Sequence, residues 1–266
     1  MIFDASITHQ EVLAPGIWLM RFETAEDYSG FRAGAFFHIQ VDPGPYPMFR
    51  RAYSILGASA NEAEILYKVA GVGSTLLSRR KVGDVISVMG PLGNSFSEPA
   101  SDEHALLVAG GIGMPPILRY AENLLQAGVT PDRITFIYGA RTAAELVLRD
   151  RIEALGITVL YATDDGSTGT HGYVTDVLRQ EAETLQGAGK SGRFYACGPE
   201  PMLAALTELS RTESLPGELS LETPMPCGAG VCLGCIIPCK CSGDDVEYKR
   251  TCIDGPIFRA QEVVWP

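Results

Sequence analysis

The sequence has no apolar run approaching the roughly 18 to 20 residues of a bilayer-spanning helix, so no membrane partner is expected. It also lacks a basic excess: 21 Lys and Arg stand against 32 Asp and Glu, a formal charge of −11. A nucleic-acid surface needs the opposite balance, and no nucleic-acid partner is expected either. The opening stretch from Met1 to Glu11 carries neither the basic nor the apolar region of a secretory signal, which leads us to expect a cytoplasmic protein. There is no internal repeat. What is present is a chain of 266 residues, 46% hydrophobic and 20% charged, long enough for two ordinary globular domains. With 29 Gly and 17 Pro it is rich in turns without being of low complexity.

The seven cysteines are distributed unevenly. Five fall between Cys227 and Cys241, a sixth is Cys252, and Cys197 stands apart. In a cytoplasmic chain such a cluster reads as metal ligands or reactive thiols rather than disulfides.

Along the chain the pattern changes twice. From the N-terminus to about residue 98, short strands alternate with turn residues: Ile17–Glu23, Phe36–Val41, Arg51–Ile55, Ala63–Val69 and Val85–Met89. Trp18, Met20 and Phe22 against Leu19, Arg21 and Glu23 give an imperfect period of two, and the spacing predicts a small antiparallel β-barrel. One helical turn is expected over Ser74–Arg80. The polar stretch Ser97–Glu103 is the first boundary. Beyond it, strands at His104–Ala109, Ile134–Gly139, Ile157–Ala162 and Arg193–Cys197 alternate with helices at Pro115–Gln126, Ala143–Ala154, Tyr173–Leu185 and Glu200–Leu209. That alternation predicts a parallel α/β sheet. Arg211–Glu218 is a second polar junction, followed by the cysteine-rich tail. The expected units are therefore 1–98, 102–213 and 219–266.

Four motifs carry chemistry. Gly110-Gly-Ile-Gly-Met-Pro-Pro116 lies between a buried strand and a helix, where glycines admit a phosphate to a helix N-terminus; it is not a G-x-G-x-x-G fingerprint, and a merely tight turn is the alternative. Cys197-Gly-Pro-Glu-Pro-Met202 has the same placement at a later strand, with an ordinary buried cysteine as its alternative. In the barrel, Arg51-Ala-Tyr-Ser54 offers a guanidinium for pyrophosphate and a ring for a planar cofactor, and Gly71-Val-Gly-Ser-Thr75 offers N–H groups and hydroxyls. The strongest signal is Cys227-x4-Cys232-x2-Cys235 with Cys252 after 16 further residues, the spacing of a plant-type [2Fe–2S] site. Gly228, Gly230 and Gly234 let backbone N–H groups reach the sulfurs. Four-cysteine structural zinc is the alternative, although zinc ribbons favour paired C-x2-C knuckles. Cys239 and Cys241 fit neither pattern and are read as non-ligands.

Taken in order, these motifs resemble the ferredoxin-NADP reductase superfamily. The C-terminal block Cys227–Phe258, with Thr163–Gly169 and Gly172–Asp176, is similar within it to the electron-transfer subunits of class 1B (NAD-dependent) dihydroorotate dehydrogenases. The likeness covers nearly the whole chain. It implies a multi-domain β plus α/β protein: an antiparallel flavin-binding β-barrel, a parallel-sheet nucleotide-binding domain and a C-terminal [2Fe–2S] subdomain. It further implies FAD on Arg51, Tyr53 and Ser54, with Tyr67 and Lys68 along the same groove and Gly73, Ser74 and Thr75 at the pyrophosphate. Gly110, Gly111 and Gly113 with Cys197, Gly198 and Pro199 would set the nicotinamide of NAD against the flavin, with no separate catalytic side chain. Cys227, Cys232, Cys235 and Cys252 would hold the cluster.

The function implied is electron transfer from a flavin-containing catalytic dihydroorotate dehydrogenase subunit, through the cluster and FAD, to NAD+, in a heterotetramer of two of each subunit. A stand-alone NAD(P)H-dependent reductase for ferredoxin or an oxygenase, and a zinc-stabilised nucleotide-binding protein without redox function, are the other readings. Asp164 and Asp165 are expected to disfavour a 2′-phosphate and so to favour NAD over NADP, with a solvated polar turn as the alternative. Two departures from the resembled pattern stand out: Thr223-Pro224, where a more polar or basic pair is expected, and the Cys239/Cys241 pair.

Overall fold

In the computed structural model, residues 1–24, 26–44, 46–241 and 245–266 are described. The first part holds β1 (Ile2–Ala14), β2 (Ile17–Glu23), β3 (Phe36–Gln40), β4 (Arg51–Ala58), β5 (Glu62–Lys68), the short helix α1 (Val72–Ser78) and β6 (Val85–Leu92). The six strands close into an antiparallel barrel in the order β1-β2-β5-β4-β3-β6. Its interior is packed with Phe22, Phe37, Ile39, Ile55, Ile65 and Val88. The first strand, β1, has no counterpart in the sequence reading. Of its 13 residues only Ala5, Ile7 and Ala14 are buried, two of them small, which leaves too weak an alternation to recognise.

The second part holds β7 (Glu103–Gly110), α2 (Met114–Gln126), β8 (Ile134–Ala140), α3 (Arg149–Glu153), β9 (Thr158–Thr163), β10 (Thr170–His171), α4 (Val174–Gly187), β11 (Ser191–Cys197), α5 (Glu200–Thr212) and β12 (Gly217–Ser220). The tail adds the hairpin β13 (Ile236–Lys240) and β14 (Val246–Arg250), and then β15 (Ile257–Arg259). The sheet order is β10-β9-β8-β7-β11-β12-β15, parallel except for β15, which pairs antiparallel with β12. The polar junction expected at 211–218 thus supplies a strand, because Gly217–Ser220 finds a ladder partner in β11. The single helix expected over 143–154 is broken. A turn of 3-10 helix at Ala143–Glu145 is followed by Leu146 and Val147 entering the core, and Leu148 takes φ 57° before α3 begins. No helix among the described residues is long and apolar enough to cross a membrane.

Helix α2 joins the two parts. Prolines 115 and 116 occupy its first turn, where no intrahelical N–H donor is needed, and its buried residues run nearly all round it. One side packs on the sheet; the other meets Leu19, Leu56 and Leu66 on the outside of the barrel. This explains the imperfect alternation in β2, whose outer face is also covered. A partly buried ionic chain crosses the same seam: Arg21 to Glu64 at 2.9 Å, Glu64 to Arg151 at 2.6 Å, Arg151 to Glu122 at 3.0 Å. Removing one member strands its partner, so the chain fixes how the barrel sits on the sheet.

Candidate functional site

The barrel, the turn after β7 and the segment after β12 enclose a groove of about 390 Å³. Strand β4 contributes Arg51, Tyr53 and Ser54, and β5 contributes Tyr67 and Lys68. The Tyr53 and Tyr67 rings meet edge to face with centroids 5.7 Å apart. Burial pushes both phenols well above their usual range, which keeps them neutral. The Arg51 guanidinium donates to the carbonyls of Phe49 and Arg50 at 2.5 and 3.3 Å, and Gly73 lies directly behind it. The Ser74 hydroxyl is engaged by its own turn, accepting from the Ala70 and Gly71 N–H groups at 2.9 and 3.2 Å. Neither Ser74 nor Thr75 enters the wall, which ends at Ala70 on that side.

A second groove of about 640 Å³ runs along the carboxyl ends of β7, β8 and β9, where ligands of parallel sheets bind. Gly110, Gly111 and Pro199 line it. Gly113 lies behind them, and a Cβ there would stand 2.4 Å from the Cys197 carbonyl oxygen, so only glycine lets the two loops touch. Gly198 packs equally closely on Met202 and Gly110. The Cys197 thiol is buried beneath the groove, not in its wall, and burial raises its pKa far out of the reactive range. Lys68 and Ile112 line both grooves. They mark where ligands of the two would meet. Asp164 lines the second groove, whereas Asp165 is drawn into its own turn, accepting from the Ser167 N–H at 3.0 Å and hydroxyl at 2.6 Å.

The cysteine loop begins where the first groove ends. Residues Ser220–Met225 floor that groove, and Met225 packs with Phe36, Cys235 and Cys252 in one buried cluster. The sulfurs of Cys235 and Cys252 lie 3.3 Å apart, both buried, while Cys232 is exposed and Cys227 half-buried. Backbone N–H groups of Ala229 and Gly234 point at the sulfurs of Cys227 and Cys232, each at 3.4 Å. The N–H of Ala229, with donors from Cys232, draws the Cys227 thiol down to about 6. Four thiols, two of them with N–H donors aimed at sulfur, fit an iron–sulfur cluster, which needs thiolates stabilised in that way. Among the described residues, no three His, Cys, Asp or Glu side chains converge as ligands of a single ion. A two-iron cluster, by contrast, distributes its thiolates over two metals. Cys239 is packed among Leu219, Phe258 and Val263 in the core beyond the sheet, and Cys241 is exposed with its thiol 3.3 Å from the Asp245 carbonyl.

Comparisons with known proteins agree with this geometry. A family described as "Iron-sulfur cluster binding domain of dihydroorotate dehydrogenase B" matches residues 222–264, and "Oxidoreductase NAD-binding domain" matches 107–208. The chain is 42% identical over 235 residues to the "Dihydroorotate dehydrogenase B (NAD(+)), electron transfer subunit" of Geobacillus kaustophilus (strain HTA426), covering 87% of this chain and 86% of that one. It belongs to that family of electron transfer subunits. The relative of the same name from Desulforamulus reducens is 31% identical across 99% of this chain and 98% of its own. A solved structure described as "NADH-dependent reduced ferredoxin-NADP oxidoreductase" superposes with a TM-score of 0.83 at 29% identity, over 98% of this chain and 90% of that one.

Several residues of this electron transfer subunit's site carry no sequence signal. Asn94, in the loop leaving the barrel, donates to the carbonyls of Asp254 and Ile257 at 3.1 and 2.9 Å and accepts from the Ile257 N–H at 2.8 Å. It thereby ties the Cys252 turn to the barrel. Arg50 ties β3 to β6, donating to the His38 carbonyl in β3 at 3.4 Å and to the carbonyl and hydroxyl of Ser87 in β6 at 2.6 and 2.9 Å. His38 is fully buried against Gly228 of the cysteine loop, and desolvation lowers its pKa. Glu222 is open to the first groove but ringed by protein on its other sides, and that desolvation raises its pKa. The Thr223-Pro224 departure also falls in this groove wall.

Proposed function

We propose that this chain passes electrons between a flavin-containing catalytic subunit that oxidises dihydroorotate and NAD+, with FAD in the smaller groove, NAD(H) in the larger one and a [2Fe–2S] cluster on Cys227, Cys232, Cys235 and Cys252. The observation that carries this reading is continuity. Lys68 and Ile112 belong to both grooves, and Met225 belongs to the smaller groove and to the packing around Cys235 and Cys252. The three proposed positions are therefore neighbours, each sharing residues with the next. Bound FAD supplies exchange between hydride and single-electron chemistry, and the cluster supplies single-electron relay.

The chain's own part is to bind and align. Arg51 meets the pyrophosphate, with Gly73 behind it and the first turn of α1, Val72 to Ser74, presenting N–H groups, while Thr75 closes that turn through its own N–H on the Gly71 carbonyl at 2.9 Å. Tyr53 and Tyr67 offer a neutral aromatic wall, and Ser54 and Lys68 complete it. Gly110 and Gly111 with Pro199 receive the dinucleotide, while Gly113, Cys197 and Gly198 fix those loops from behind. The units carrying the three positions are 1–98, 102–213 and 219–266. Reduced thiols and a soluble dinucleotide acceptor go with a cytoplasmic location. No site for dihydroorotate is assigned to this chain, so the substrate belongs to the partner, in an assembly we put at two of each subunit.

The test is reconstitution. The holo chain alone should reduce an artificial acceptor with NADH and leave dihydroorotate untouched; adding the catalytic subunit should give dihydroorotate-dependent NAD+ reduction. Efficient reduction of ferredoxin or an oxygenase component, with no such coupling, would instead establish a stand-alone reductase. A colourless protein loaded with zinc would end both readings.

A further inference from the structure

The larger groove is lined by four charged side chains among the described residues: Lys68, Arg141, Glu145 and Asp164, which cancel. Their arrangement is more telling than their sum. Arg141 immediately follows β8, the neighbour of β7 in the sheet. In dinucleotide-binding α/β folds the turn after the first strand takes the diphosphate, and the end of the second strand meets the adenosine ribose. An acid there accepts the 2′-hydroxyl, whereas an arginine there accommodates a 2′-phosphate. Arg141 by itself would therefore point to NADP.

Arg141 is not by itself. Glu145, in the 3-10 turn that interrupts the expected helix, accepts from the Arg141 guanidinium at 2.6 Å through one oxygen. Its other oxygen lies 3.4 Å from the ammonium of Lys68, which reaches across from the barrel. The carboxylate is well covered, with 20% of its side chain exposed against 68% for Arg141. We propose that Glu145 is the specificity-determining residue of this groove: anchored on Lys68 through one oxygen, it engages Arg141 through the other, withholds that guanidinium from a 2′-phosphate and makes NAD(H) the preferred dinucleotide. This rests on the reading of the larger groove as the NAD(H) site.

The electrostatics agree. Burial opposes ionisation of Glu145, but the hydrogen bond from Arg141 and the charges of Lys68 and Arg141 outweigh it and lower the pKa, so the clamp is charged at neutral pH. A 2′-phosphate would bring about 1.5 to 2 further negative charges to a groove whose two cations among the described residues, Lys68 and Arg141, are both engaged by Glu145. Asp164, in the lining of the groove, adds to this effect.

Binding of 2′,5′-ADP and of 5′-AMP to the holoprotein, measured by calorimetry, tests the idea without relying on turnover. Glu145→Gln should raise the affinity for 2′,5′-ADP relative to 5′-AMP about tenfold, the scale of one charge-assisted hydrogen bond. The double variant E145Q/R141A should lose that gain. The NADPH to NADH ratio of kcat/KM should move the same way. Should E145Q fail to fold, R141A alone decides, because an arginine already engaged contributes little: a change in the ratio below about twofold is expected, and a tenfold fall would overturn the proposal. A gain in E145Q that persists without Arg141, or no gain while 5′-AMP still binds, also overturns it. Wild-type protein that binds neither 5′-AMP nor NADH would sink the reading of the groove itself, and this inference with it.

Discussion

The smaller groove takes its wall from β4 and β5, where a barrel ladder fixes each backbone and burial fixes Tyr53 and Tyr67. The cysteine loop beside it has no helix or strand from Leu221 to Cys235. There the sulfurs are positioned by turns, with Gly228, Gly230 and Leu233 at positive φ, and by tethers from outside the loop. One site is thus pre-organised by packing of side chains on rigid elements. The other is pre-organised by backbone conformation and depends on a few external bonds. Substitutions should hurt them differently: gradually in the groove, sharply in the loop.

Cys252→Ser should break the comparison most severely. It should abolish the cluster's absorbance while the FAD content stays near stoichiometric, since no Cys252 atom lines the groove. Loss of FAD as well would show that the two sites form one cooperative unit through Met225. Gly228→Ala comes next. A Cβ there meets His38 Nδ1 at 2.5 Å with φ at +66°, and the left-handed backbone alone costs about 1–2 kcal/mol, so cluster occupancy and melting temperature should both fall. Asn94→Ala removes three hydrogen bonds from the Cys252 turn. It should cost about 1–3 kcal/mol by denaturant titration and speed cluster loss under a chelator, with FAD retained. The smallest effect is expected in the groove. Tyr53→Phe keeps the edge-to-face contact with Tyr67, so stability should change by less than about 1 kcal/mol and FAD affinity only a few fold.

The same contrast governs what could be read before the fold was seen. Strand–helix alternation after residue 103 and the spacing of Cys227, Cys232, Cys235 and Cys252 are local patterns, set by periodicity and by the reach of a short loop. Where the reading missed, a distant partner had intervened. Leu19 breaks the alternation of β2 because α2 covers the barrel's outer face. The helix expected at 143–154 is interrupted where Leu146 and Val147 turn into the core and Glu145 turns to Lys68 and Arg141. The junction at 217–220 becomes a strand only because β11 offers it an edge.

By itself the sequence determined the three building blocks and the cysteine spacing that marks the tail, because these follow from residues close together in the chain. The tertiary structure alone decided how the blocks combine. It made Ser220–Met225 the floor of a groove whose walls lie in the barrel, brought Asn94 to a turn 160 residues away, and joined Lys68 to Glu145 across 77 residues. Such contacts have no local signature. They arise when separately specified elements pack together, and the free energy that selects them belongs to the whole core rather than to any short segment.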